Sequence, residues 1–172
     1  LGTVRRVLEI GAGTGSNALW LATQGCVVTA LDLAPLAVER ARARAEVAGL
    51  AISLLERDFL ADGAPDTGFD LVFDRGCFHV FDSADEQARF AANVAAALAP
   101  GGCWLSLIGS TEGAPRSGGP PRRSARDIAT AVEPVLSIAS LSLVSFDEEN
   151  PVAAWSLLAR RRDVPAQPSS RR

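Results

Sequence analysis

Lysine, methionine and tyrosine are absent from this chain of 172 residues, and histidine occurs once. Each shortage removes a class of chemistry. Without lysine there is no Gly-Lys-Ser/Thr phosphate loop. A single histidine, His79, argues against a His-based metal site, and no metal is expected. The three cysteines, Cys26, Cys77 and Cys103, are scattered, form no Cys-x-x-Cys and cannot all pair. They read as reduced thiols of a cytoplasmic protein. There is no signal-peptide pattern and no apolar run long enough to span a bilayer, so no membrane partner is expected. A net charge of −3 and a pI near 5.2 argue against nucleic acid as a main partner. All 17 basic residues are arginine, a bias that fits GC-rich coding better than a physical demand.

What is present is 48% hydrophobic residues, enough for one domain with a full core. Residues 1–162 are expected to form that domain and 163–172 a disordered tail. Strand-like and helix-like segments alternate. Strands are expected at Val4–Ile10, Cys26–Leu31, Ile52–Glu56, Phe69–Asp74 and Cys103–Ile108. Cys26–Leu31 is continuously apolar, as in a strand buried on both faces. Helices are expected at Ser16–Thr23 (packing through Leu19, Trp20 and Ala22), Leu36–Ala48, Asp85–Leu98 and Ser124–Val132. Pro100-Gly101-Gly102 reads as a helix stop. Leu136–Phe146 and Val152–Arg160, joined by Asp147-Glu148-Glu149-Asn150-Pro151, suggest an antiparallel pair. Such alternation implies a doubly wound α/β fold, a mostly parallel sheet with helices on both faces. Ligands in such sheets sit at the carboxyl ends of the strands.

The richest segment is Val7-Leu8-Glu9-Ile10-Gly11-Ala12-Gly13-Thr14-Gly15. An apolar strand carries an acid near its end, breaks into three alternate glycines, and runs into a helix. Alternate glycines clear side chains from between backbone and ligand, and the helix start offers unpaired N–H groups. The dinucleotide fingerprint Gly-x-Gly-x-x-Gly fits poorly. The third glycine comes one residue early, Ser16 stands where glycine is wanted, and Glu9 has no part in that fingerprint.

Glu-x-Gly-x-Gly-x-Gly resembles the class I methyltransferases that use S-adenosylmethionine. That resemblance implies a Rossmann-like sheet of seven strands in the order 3-2-1-4-5-7-6, the seventh antiparallel. Members usually carry one or two helices ahead of the first strand. Here that strand begins within a few residues of Leu1, so this cap is expected to be missing. The resemblance implies that Glu9 and the loop Gly11, Ala12, Gly13 and Gly15 hold the methionine end of the cofactor. It implies that Asp32, followed by Leu33, accepts the ribose hydroxyls. Asp32 equally suits a helix N-cap before Pro35, or an NAD enzyme. Asp58 would accept the adenine amino group and Phe59 pack on the ring; a turn aspartate and a core phenylalanine are the plainer alternatives.

Phe69-Asp70-Leu71-Val72-Phe73-Asp74-Arg75-Gly76-Cys77-Phe78-His79 is the second diagnostic stretch. Asp74-Arg75-Gly76 resembles the thiopurine and tellurite-resistance branch, which alkylates thiols and heavier chalcogens of small molecules. The backbone near Asp74 and Arg75 would then hold the methionine part of the cofactor. His79 is the candidate base, against the plainer reading of a polar residue in a first turn. Cys77 is a candidate substrate contact without covalent role. Arg116, Arg122 and Arg123, in the long loop Gly109–Arg123, could clamp an anionic substrate under a lid or simply be solvated. Arg160-Arg161-Arg162 is too short a run to imply nucleic acid. No Asn/Asp-Pro-Pro-Tyr/Phe motif follows the fourth strand, which weighs against amino-group methylation of bases or glutamine.

The expectation is therefore in-line methyl transfer from S-adenosylmethionine to a small molecule, foremost a thiol or other heteroatom acceptor. The alternatives are a non-catalytic cofactor-binding module, a methyltransferase acting on a protein, and an NAD-dependent oxidoreductase.

Overall fold

The computed structural model describes residues 4–114, 118–146 and 151–162. Seven strands form one sheet: β1 (Arg6–Ile10), β2 (Val27–Asp32), β3 (Ser53–Glu56), β4 (Phe69–Arg75), β5 (Leu98–Gly109), β6 (Leu136–Ser145) and β7 (Ala153–Arg161). Their spatial order is β3-β2-β1-β4-β5-β7-β6. The pairs β1–β2, β1–β4, β2–β3 and β4–β5 are parallel, and β7 is antiparallel to both β5 and β6. This is the topology the sequence resemblance implied. The order reverses between β1 and β4, which opens a crevice at their carboxyl ends.

Among the described residues five α-helices cover the sheet: α1 (Ser16–Thr23), α2 (Pro35–Val47), α3 (Phe59–Asp62), α4 (Ala84–Ala97) and α5 (Ala125–Val132). α1 and α2 pack Ala18, Leu21, Val38, Ala41 and Ala45 against Val7, Val28 and Ala30. On the other face Phe90, Val94, Ile128 and Val132 join Phe69, Phe78, Trp104, Ile108 and Leu157. Phe78, Phe90 and Trp104 meet at ring-centroid distances of 5.5–5.8 Å, in the edge-on and tilted geometries that aromatic quadrupoles favour. Among the described residues no helix is long and apolar enough to cross a membrane.

Several local expectations are corrected. Trp20 is 56% exposed and does not pack into the core; α1 buries Ala18 and Leu21 instead. Val27 is 66% exposed while Val28 is buried, so the start of β2 is covered on one face only. β5 starts at Leu98, with Pro100-Gly101-Gly102 inside it rather than ahead of it. Residues 99–102 bulge from the ladder opposite Asp70, between the pairs Phe69–Leu98 and Leu71–Cys103. Gly102 is required there, since a Cβ would lie 2.8 Å from the Phe69 carbonyl oxygen. No helix is expected between β3 and β4 from the sequence, yet Asp58 nucleates the short α3 as its N-cap. Helix α4 begins at Ala84 behind a Ser83–Glu86 capping box. The ends of the long loop are zipped together: Ser110 bridges Arg123, and the Arg123 N–H donates to the Gly109 carbonyl at 2.7 Å. Arg116, the acidic stretch 147–150 and the tail 163–172 lie outside the described residues.

Candidate functional site

Glu9 is 1% exposed near the end of β1. Its Oε1 accepts from Asn17 Nδ2 at 3.0 Å, and its Oε2 is buried with no hydrogen-bond partner among the described residues. Burial pushes the Glu9 carboxyl up to about 7, and the neighbouring Asp32 and Asp74 carboxylates add to the rise. A buried acceptor of this kind costs free energy until a donor reaches it.

The glycine loop that follows is built on left-handed backbone, with φ of +68°, +56° and +81° at Gly11, Gly13 and Gly15. A Cβ on Gly11 would press to 3.1 Å of the Cys77 Cβ, so the loop and the β4 turn approach at van der Waals limit. Gly15 lets α1 settle on α2, where a Cβ would meet Ala41 Cβ at 3.0 Å. Gly13 faces open space. Its N–H donates to Asp32 Oδ2 at 2.7 Å, while Ala34 N–H donates to Oδ1 at 2.9 Å. Asp32 at the end of β2 is therefore fixed by backbone on both oxygens, and each oxygen keeps a lone pair for a ligand hydroxyl.

Asp58 follows β3. Its Oδ1 alone takes both helix N–H groups of the cap, from Leu60 at 2.9 Å and Ala61 at 3.0 Å. Phe59 is 5% exposed and meets Phe90 edge-on at 5.0 Å. Gly11, Asp32, Leu33, Asp58, Phe59 and Cys77 line one crevice of about 420 Å³, with Val80 and Phe81 closing it. That volume lies in the usual range for small-molecule sites. Burial, then the Asp74, Asp32 and Asp58 charges, raise the Cys77 thiol well above its ordinary value, so it remains a protonated wall of the crevice.

Asp74 is placed differently. It is fully buried and turned inward, with Oδ2 accepting from Cys77 N–H at 3.2 Å and Phe78 N–H at 3.1 Å, and Oδ1 from Trp104 Nε1 at 2.9 Å. Burial raises its pKa. Its carboxylate shapes the turn after β4 and does not line the crevice. Arg75 points toward β6: Nη2 donates to the Phe146 carbonyl at 2.7 Å and the guanidinium lies 5.4 Å from the Phe146 ring centroid. His79, in the 3₁₀ turn Phe78–Val80, is 3% exposed. Its Nδ1 accepts from the Gly109 N–H at 2.6 Å, and its ring meets Phe146 edge-on at 5.9 Å. Arg123 binds the Phe81 carbonyl and Asp82, and Arg122 the Ala114 carbonyl.

The structure thus brings Gly11, Asp32, Leu33, Asp58 and Phe59 to one cavity, with Glu9 buried behind the glycine loop. Arg75 and His79 sit on the β5–β6 side of the crevice. Asn17, Val80 and Phe81 were not singled out from sequence. Asn17 alone had a readable signal, a polar side chain in the first helical turn after the glycine loop. Among the described residues no group of three or more acids, histidines and cysteines could hold a metal ion.

A family model described as a methyltransferase domain matches residues 7–102. The chain is 38% identical over 105 residues to the demethylmenaquinone methyltransferase of Thermus thermophilus, covering 60% of this chain and 46% of that one. It therefore spans about half the length of that curated relative. Among solved structures, one reported for the conversion of a disulfide bond into a thioacetal group during echinomycin biosynthesis superimposes with a TM-score of 0.79. The identity is 28%, over 91% of this chain and 76% of the other. The N-methyltransferase NodS of Bradyrhizobium japonicum, in complex with S-adenosyl-L-homocysteine, superimposes with a TM-score of 0.76 at 21% identity, over 93% and 79% of the two chains; at that identity the likeness is one of fold.

Proposed function

The chain belongs to the methyltransferase-domain family, and from that premise we propose that it transfers a methyl group from S-adenosylmethionine to a heteroatom, foremost a thiol, of a small molecule. The observation that carries this reading is the set of carboxylates on three successive strand ends: Glu9 on β1, Asp32 on β2 and Asp58 after β3. A pyrophosphate would be repelled here. Arg57 is the cationic side chain among the lining residues, and its guanidinium is held by the carbonyls of Gly63 and Asp62. A cofactor carrying an ammonium and a sulfonium suits the same charges. Glu9 Oε2 would meet the ammonium, Asp32 the ribose hydroxyls, and Asp58 the adenine amino group, with Phe59 and Leu33 against the ring.

When bound, S-adenosylmethionine supplies a methyl group activated by a positively charged sulfur. The chain's own task is alignment and exclusion of water. The cofactor residues occupy the carboxyl ends of β1, β2 and β3. The acceptor is thereby directed to the rim of β4, β5 and β7, near Arg75, Cys77 and Phe146. A thiol acceptor is partly ionised near neutral pH and needs no strong base. His79, with Nδ1 committed to the Gly109 amide, acts in this reading as a positioning group for the rim; proton removal by His79 is the form the reaction would take for a hydroxyl or amine acceptor. The relative reported in disulfide-to-thioacetal conversion supports a sulfur acceptor, and the relative named for demethylmenaquinone supports a small molecule. The free thiols Cys26, Cys77 and Cys103 support a cytoplasmic setting.

Calorimetry with S-adenosylhomocysteine, followed by a labelled-methyl screen over thiols, selenite, tellurite, phenols and amines, tests the proposal. Binding together with labelled thioether product is expected. Absence of binding overturns the cofactor assignment. Binding without transfer to any acceptor points to a cofactor-binding module instead.

A further inference from the structure

Asn17 makes the one side-chain hydrogen bond to the buried Glu9 among the described residues. It stands in the first turn of α1, directly after the glycine loop. Its Nδ2 donates to Glu9 Oε1, while Oε2 has no partner. The Ala18 amide lies close enough to favour the charged form but closes no hydrogen bond on Oε2. The charged groups acting on Glu9 are both acidic, Asp32 from β2 and Asp74 from β4. Among the described residues no cation neutralises the Glu9 carboxyl. An amide differs from a cation in this respect: it orients a carboxylate and leaves its charge available to a ligand.

We propose that Asn17 is a positioning residue for the cofactor's ammonium group, holding Glu9 by Oε1 so that Oε2 is presented to the ligand, and that Glu9 releases a proton to solvent as the ammonium arrives. The proposal rests on the S-adenosylmethionine reading. Burial holds the Glu9 carboxyl near 7, so part of the unliganded population carries the proton at neutral pH. A positive group at Oε2 favours the carboxylate and expels that proton. The carboxylate supplies the charge, Asn17 supplies direction, and binding tightens as pH rises through the neutral range.

The test is calorimetry on the full chain between pH 5.5 and 8, in buffers of differing ionisation enthalpy. Two probes are used: S-adenosylhomocysteine and 5′-methylthioadenosine, which keeps the adenosine end and lacks the ammonium. Wild type is expected to release a fraction of a proton with the first probe near pH 7 and none with the second. Asn17→Ala removes a hydrogen bond to a charged group. It should weaken S-adenosylhomocysteine about tenfold and move its pH midpoint upward, while methylthioadenosine binds as before. Asn17→Ser keeps a short donor and should recover part of the loss. Equal weakening of both probes by Asn17→Ala would mark a structural role and overturn the proposal, as would an unchanged midpoint. Should neither probe bind wild type, the cofactor reading itself falls, and the role of Asn17 with it.

Discussion

Replacing Glu9 by glutamine should stabilise the unliganded protein above neutral pH while impairing the site. The carboxyl is 1% exposed, and its pKa rises from the usual 4.5 to about 7. A raised carboxyl means the folded state holds this proton more tightly than the unfolded chain. The stability it contributes is present below pH 4.5 and is lost as pH climbs through 7. At about 1.4 kcal/mol per pH unit, the loss reaches roughly 3 kcal/mol by pH 8. Glutamine keeps the shape, can still pair with Asn17 and carries no charge to desolvate. Urea unfolding of wild type and Glu9→Gln at pH 5, 6, 7 and 8 measures the difference. The two should differ by less than about 1 kcal/mol at pH 5 and by about 3 kcal/mol at pH 7 and 8, with the variant the more stable. S-adenosylhomocysteine should bind the variant at least about tenfold more weakly. Parallel stability profiles across this range would refute the claim that a buried, unneutralised carboxyl sits at the end of β1.

Three further outcomes are expected. Asp32→Ala removes the acceptor fixed by Gly13 and Ala34 and should weaken S-adenosylhomocysteine at least about tenfold by calorimetry; unchanged affinity would remove Asp32 from the site. Gly15→Ala forces a side chain into φ +81° with its Cβ 3.0 Å from Ala41; a loss of about 1–3 kcal/mol is expected in denaturant unfolding. His79→Ala frees the Gly109 amide and should lower the melting temperature. If His79 only positions the rim, the pH dependence of turnover on a thiol acceptor keeps its shape; disappearance of a limb near neutral pH would make His79 the base.

The alternation of strands and helices was legible because apolar runs and glycine punctuation alternate so regularly, with acids at the ends of those runs; the strand order itself was implied only by the resemblance to the class I methyltransferases. What stayed hidden depended on direction. Asp74 shares a face of β4 with Val72, toward Trp104 and Phe78, and so turns into the core; residue type alone does not say which face a strand-end acid takes. α3 is four residues long, too short for any periodicity, and only Asp58 announces it. β5 absorbs a Pro-Gly-Gly triplet by bulging against β4 between the Phe69–Leu98 and Leu71–Cys103 pairs, a tertiary accommodation that the triplet alone does not mark. Trp20 is expected with Leu19 and Ala22 on the packing side of α1, yet the buried stripe runs through Ala18 and Leu21. The orphaned oxygen of Glu9 is likewise a product of packing, since it depends on which atoms α1 brings near.

Charge is sorted across the reversal point of the sheet, and this bears on the order of events in the proposed reaction. Glu9, Asp32 and Asp58 stand on the β1–β3 side, while Asp74 on β4 is turned into the core; burial, then the Asp74, Asp32 and Asp58 charges, raises the Cys77 thiol. On the β4–β6 side Arg75 is exposed at the rim, with one of its five donors on the Phe146 carbonyl. A positive ligand is therefore favoured at the first half and an anionic acceptor at the second. The acidic half would repel a thiolate that entered an empty crevice. With the cationic cofactor in place that repulsion is offset, so acceptor binding should follow cofactor binding. Initial-rate kinetics with inhibition by S-adenosylhomocysteine would test this. Competitive inhibition against the cofactor and noncompetitive inhibition against the acceptor fit the order; competition against the acceptor would contradict it.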